Sequence, residues 1–182
     1  LYQKAMEGDK DCGGMIACNY YSGEPVTGLE EGRPMFLRRP DSHLGLANFM
    51  RSHLYASLAT LKIGLDILLK EEDVKIDSIT GHGGLFKTKG VGQSILAAAM
   101  NASISVMETA GEGGAWGMAL LAAYMLFKKD GQSLGDYLDS RVFAERKSET
   151  MEPDLADVAG FETYTKQYQA CLAAEKAAVQ AF

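Results

Sequence analysis

Apolar residues recur at three- and four-residue spacing at Leu46, Phe49, Met50, Leu54, Leu58, Leu61, Leu65 and Leu68, which is the period of one face of a helix. The pattern predicts a long amphipathic helix, capped at its start by Asp41 or Ser42 and ending near Lys70. Upstream, the run from Gly13 to Tyr21 is short, apolar and bounded by glycine, which predicts a strand. Ser22 to Pro40 is broken by Pro25 and Pro34 and reads as a loop, with Met35-Phe36-Leu37 as a brief strand inside it. Downstream, Val74, Ile76 and Ile79 predict a strand over 74–80, Val91, Ile95, Ala98 and Ala99 a helix stopping near Asn101, and Ile104 to Met107 a second strand. Trp116, Leu120, Ala123 and Phe127 share a helical face, and Ala119, Ala122 and Ala123 are small enough to let that helix press on a sheet until Asp130-Gly131 ends it. A charged excursion follows over 131–157. Phe161, Tyr164, Tyr168, Cys171 and Leu172 mark a terminal helix over 160–181.

Two glycine-rich turns stand at the strand-to-helix corners, Gly81-His82-Gly83-Gly84 and Gly111-Glu112-Gly113-Gly114. Glycine at such a corner lets a ligand approach the backbone, and the following helix offers unpaired N–H groups to anionic atoms. The order strand, turn, helix, strand, turn, helix brings both turns to one edge of a sheet, where α/β proteins bind ligands. Neither turn fits the commoner phosphate loops. Lys87-Thr88 could end a P-loop, but Phe86 fills the last glycine position; Phe86 and Trp116 also break the dinucleotide fingerprint.

Composition narrows the field. The chain has 182 residues, 47% of them apolar, enough for a real core, and a net charge of -6. That charge argues against nucleic acid as a partner, since phosphate contacts need clustered Lys and Arg. No segment is long and apolar enough to predict a membrane span. Cys12, Cys18 and Cys171 form neither a CxxC pair nor an even set, so a cytoplasmic location is expected and no metal site is assigned. His82 has no nearby carboxylate or Cys in sequence and is read as a turn residue. Trp116 is read as core rather than as a stacking platform.

Taken together, these segments resemble the C-terminal lobe of the FGGY family of carbohydrate kinases, members of the actin-like ATPase superfamily. The family's adenosine motif is similar to Gly83-Gly84, Lys87-Thr88 and Gln93, and its closing segment to Glu108-Thr109-Ala110 followed by Ala115-Trp116-Gly117-Met118-Ala119. Tyr20-Tyr21-Ser22-Gly23-Glu24-Pro25 resembles the family's Tyr-x-Gly-Glu stretch. Gly28 to Pro34, Leu46 to Arg51 and Val158 to Phe161 look most like the bacterial L-ribulokinase or xylulokinase-like branch.

The resemblance implies an α/β, ribonuclease-H-like lobe with a mixed sheet and flanking helices. It spans 1–182, and is expected to be an incomplete fragment, because Leu1 to Met6 reads as the tail of a helix already under way. It implies ATP or ADP and Mg²⁺ as cofactors and assigns nucleotide binding to Gly83, Gly84, Lys87, Thr88, Gln93, Glu108 and Gly117. The implied reaction is phosphorylation of a ketopentose, with the general-base Asp and the sugar contacts in an N-terminal lobe outside these residues; the chain alone is expected to be inactive. A kinase for glycerol or gluconate, or a nucleotide-switch module without transfer chemistry, remains an alternative, and self-association into a homodimer is left open. Each site residue also has a purely structural alternative: a tight corner for the glycines, a helix cap for Thr88 or Glu108, a solvated surface for Lys87 and Gln93.

Overall fold

Two long helices, Leu46–Lys70 (α2) and Leu155–Ala181 (α6), clasp a small antiparallel strand pair, and their shared core supports everything else. The computed structural model describes residues 1–108, 110–144 and 148–181. The other helices are α1 (Tyr2–Ala5), α3 (Val91–Met100), α4 (Gly113–Phe127) and α5 (Leu134–Leu138). The strands are β1 (Met15–Cys18), β2 (Met35–Arg38), β3 (Ile79–Gly81), β4 (Ile104–Met107) and β5 (Ser148–Met151). In the first sheet β1 and β2 are antiparallel, Met15 opposite Arg38. The second has the order β3-β4-β5: β3 runs parallel to β4, and β5 returns antiparallel on the far side of β4.

Aromatic rings fill the centre. Tyr55 of α2 meets Phe161 and Tyr164 of α6 at centroid separations of 4.6 and 5.3 Å. The buried Tyr164 hydroxyl donates to the Ser52 carbonyl at 3.0 Å. Such a hydroxyl needs a partner once it is out of water.

The most demanding buried group is Arg51, fully enclosed although charged. Its Nη2 donates to the Tyr55 hydroxyl at 2.8 Å and to the Asp157 carboxylate, and Nη1 reaches the Ala5 carbonyl at 3.4 Å. Lys10 Nζ adds a second cation to Asp157 at 2.8 Å. Close by, Asn48 Nδ2 donates to Asp9 at 3.0 Å while its Oδ1 accepts from the Asp9 amide at 2.6 Å. Hydrogen bonds from Asn48 and then His43 hold the Asp9 carboxyl below its ordinary range. The start of α2 is thus pinned to the loop after α1.

Several sequence expectations need correction. Helix α2 begins at Leu46 behind Gly45, with no side-chain cap, rather than at Asp41 or Ser42. Ser42 is engaged elsewhere: its hydroxyl donates to the Gly14 carbonyl and accepts from the Arg39 amide, both at 2.9 Å. Strand β1 starts only at Met15, because Cys12, Gly13 and Gly14 take left-handed φ angles of 63, 59 and 74°. Val74 and Ile76 lie outside the strand and are exposed.

Helix α4 departs most. None of its residues is buried; it leans on the α5 region through Trp116 against Phe143 and Tyr124 against Tyr137, and Trp116 is not core. Its sequence is apolar all round, so no inward face is specified. The helix stops at Phe127, before Asp130-Gly131, where the Tyr124 hydroxyl donates to the Gln132 carbonyl and draws the chain back. Helix α6 starts earlier than expected, because an Asp154 carboxylate oxygen accepts from the amides of Ala156 and Asp157, both at 2.9 Å.

Removing one member of a buried ion pair leaves the other charge stranded. Asp157→Ala is therefore expected to destabilise the fold by about 3 kcal/mol or more in urea denaturation. Lys10→Ala, whose ammonium is half-exposed, should cost less than about 1 kcal/mol. Equal small losses would show that Arg51 does not depend on Asp157.

Candidate nucleotide site

Because β3 and β4 are parallel, the turns that follow them leave the same edge of the sheet. They are joined directly, the Gly83 amide donating to the Ala110 carbonyl at 2.7 Å. Gly83 has φ 110° and ψ −176°, a conformation open essentially to glycine alone.

The glycines divide into two classes. Gly81 is covered by the Phe86 ring, Gly111 by the aliphatic stem of Lys87 and Gly113 by the His82 imidazole, so a Cβ at any of them meets protein. At Gly84, Gly114 and Gly117 a Cβ would meet nothing within 4 Å. The first class serves close packing; the second leaves room beside the backbone.

Next to these turns lies a cavity of about 560 Å³, lined by Phe86, Thr88, Gln93, Val106, Glu108 and Glu149 among others. That volume falls in the range of small-ligand pockets. Gln93, on the first turn of α3, fixes its chemistry. The side chain is 5% exposed, and its Nε2 donates to the carbonyls of Ile104 on β4 and Glu149 on β5 at 2.7 and 2.8 Å. Two carbonyl neighbours identify that atom as the nitrogen, with both hydrogens engaged. The Oε1 atom accepts no hydrogen bond from the described residues and is not sealed in. A clamped amide with a free acceptor, on a residue that lines a cavity, can receive a ligand N–H or O–H donor.

Charge is distributed around this edge. Lys87 Nζ pairs with Glu112 Oε1 at 2.6 Å, and Lys89 Nζ with Glu149 Oε2 at 3.2 Å. Helix α3 follows Gly90 (φ 80°) and α4 follows Glu112, neither with a side-chain cap. At α3 the Val91 amide donates to the Thr88 carbonyl at 3.3 Å and the first turn is buried, whereas the first turn of α4, with Gly114 exposed, remains open to an anionic ligand.

Of the sequence-assigned residues, Thr88, Gln93 and Glu108 line the cavity together. The other four lie outside the cavity lining: Gly83 and Gly84 in the turn before Phe86, Lys87 directed to Glu112, and Gly117 on α4. Thr88 does not cap α3; Gly90 holds that place. Thr109 lies outside the described residues. Sequence reasoning missed Lys89, Gly90 and Glu149. Glu149 had no signal, since β5 is polar and sits inside a charged stretch, whereas a glycine one residue before an apolar helical run marked Gly90.

Elsewhere, burial pushes the Cys18 thiol up to about 12 and raises Cys12 as well, so neither is a ready nucleophile. Among the described residues no three His, Cys, Asp or Glu side chains converge on a metal position, and no helix is long and apolar enough to cross a membrane.

The family model for the C-terminal domain of FGGY carbohydrate kinases matches residues 2–126. The chain belongs to the FGGY family of carbohydrate kinases. No curated protein matches the chain at a significant level. Among solved structures, a xylulose kinase from Lactobacillus acidophilus aligns over 96% of this chain and 34% of its own, at 19% identity and TM-score 0.68. A gluconate kinase from the same organism aligns over 94% and 33%, at 18% identity and TM-score 0.68. Plasmodium falciparum glycerol kinase, solved with ADP, aligns over 96% and 33%, at 18% identity and TM-score 0.62. Identities this low show the fold alone; with the family match, that fold is the actin-like lobe of an FGGY C-terminal domain. The chain spans about a third of the length of the kinases it matches.

Gln93→Leu removes one buried and one half-buried hydrogen bond, those to the carbonyls of Ile104 and Glu149. A loss of about 2 kcal/mol is expected, together with faster amide hydrogen exchange in β5 than in β1. Unchanged exchange in β5 would mean that the amide does not hold the strand.

Proposed function

We propose that this lobe binds the adenosine end of ATP for a kinase that phosphorylates a ketopentose of the L-ribulose or xylulose type. The observation that carries the reading is the clamped amide of Gln93, a residue lining the cavity, whose Oε1 is left without a partner among the described residues and suits the 6-amino group of adenine. In this reading Gly83 and Gly84 let the nucleotide approach the backbone and Glu108 meets the ribose. Lys87, Thr88 and the uncapped start of α4 face the phosphates, and Gly117 keeps the first turns of α4 slim near them. The residues present fit a nucleotide. Mg²⁺ would be carried mainly by the nucleotide phosphates, as is usual for this ion.

Phosphoryl transfer is mostly positioning and charge stabilisation. The sugar hydroxyl oxygen bonds to the γ-phosphorus as the bond to the β–γ bridging oxygen breaks, ADP leaves, and the hydroxyl proton passes to a carboxylate. The sugar contacts and that carboxylate belong to the N-terminal lobe of the full-length protein, its main partner in the cytoplasm. Under this proposal the present lobe fixes one end of the in-line geometry and is inactive alone.

Full-length protein should bind ADP in calorimetry. Gly84→Leu, which sends a side chain into free space, should weaken ADP at least about tenfold without lowering the melting temperature; an unaltered affinity would sink the placement of the nucleotide. In a coupled assay across xylulose, L-ribulose, glycerol and gluconate, turnover is expected on a ketopentose. Turnover on glycerol or gluconate alone would replace the sugar and leave the nucleotide site standing.

A further inference from the structure

We propose that Glu112 is an internal stand-in for a ligand phosphate: its carboxylate engages Lys87 and so lowers affinity for phosphorylated nucleotides relative to the bare nucleoside. The inference rests on the nucleotide reading above and adds a specificity-determining residue to it.

Four observations carry it. Lys87 leaves the first glycine turn and lays its stem over Gly111, with Cγ only 3.1 Å from where a Cβ would stand, so its ammonium is delivered to the second turn. There it meets Glu112 Oε1 at 2.6 Å. The pair is not needed to join the turns, because the Gly83 amide already donates to the Ala110 carbonyl. Finally, the Glu112 side chain, at the head of α4, makes no capping hydrogen bond, so its negative charge faces Lys87 while the first amides of α4 keep no side-chain acceptor.

Both side chains are more than half exposed, 57% for Lys87 and 73% for Glu112. A phosphate can therefore reach the ammonium, and the displaced carboxylate can return to water at little cost. A nucleoside without phosphates has nothing to exchange and should be indifferent to the pair.

The test is calorimetry on the full-length protein with ADP and with adenosine, for wild type, Glu112→Gln, Lys87→Met and the double variant. Glu112→Gln should tighten ADP about threefold, the scale of an exposed pair, and leave adenosine unchanged. Lys87→Met should weaken ADP, and in its background Glu112→Gln should gain nothing. Glu112→Asp, which keeps the charge, should stay near wild type. Three results would overturn the proposal: no tightening by Glu112→Gln, an equal shift for adenosine, or the same gain without Lys87. Wild-type protein that bound neither ligand would instead remove the nucleotide reading itself.

Discussion

A guanidinium without access to water constrains the whole fold. Arg51 is enclosed among Tyr55, Asp157 and the Ala5 carbonyl, groups that come from α2, α6 and the end of α1. A buried charge without partners is far too costly to tolerate, so these three segments must meet at one point if the chain is to fold at all. Once they meet, the aromatic cluster of Tyr55, Phe161 and Tyr164 can close and β1 is trapped between the two long helices. The Arg51 pair contributes specificity of arrangement, while net stability comes from the rings and aliphatic side chains around it.

The second sheet depends on this frame through α3, which touches α2 and α6 on one side and β4 on the other. Val91, Ile95 and Leu96 enter the core, and on the same helix Gln93 turns toward the strands and ties β4 to β5. One helix therefore supplies both apolar packing and the polar clamp that shapes the cavity. The geometry of the cavity is inherited from the core: a shift of α3 would move Gln93, the start of that helix and the loop carrying Lys87 and Thr88 as one piece.

Elements with a single dominant local signal were legible in the sequence. The helix from Val91 to Met100 lies between Gly90 and Asn101, both in left-handed conformations, and Ile104 to Met107 reads directly as a strand. Elements fixed by distant partners were not. Strand β5 consists mainly of exposed polar residues, and what holds it is the backbone ladder, the Gln93 amide and a hydroxyl contact of 2.8 Å between Ser105 and Thr150, none of which leaves a periodic trace. The start of α2 was misplaced because Ser42, a good cap by type, is used by the Gly14 and Arg39 backbone. At the candidate site the resemblance pointed to Gln93, but the direction of its amide depends on β5 and stayed invisible. The glycines looked alike in sequence, although some make room for Phe86, Lys87 and His82 and others leave open space.

Helix α4 presents Met118, Leu121, Met125, Leu126 and Phe127 outward, with the two methionines 69% and 77% exposed. A thioether in that position is open to peroxide, and conversion to the sulfoxide would change a flexible apolar side chain into a polar one in the middle of an apolar surface. A surface that covered this helix would shield both thioethers from oxidant as well.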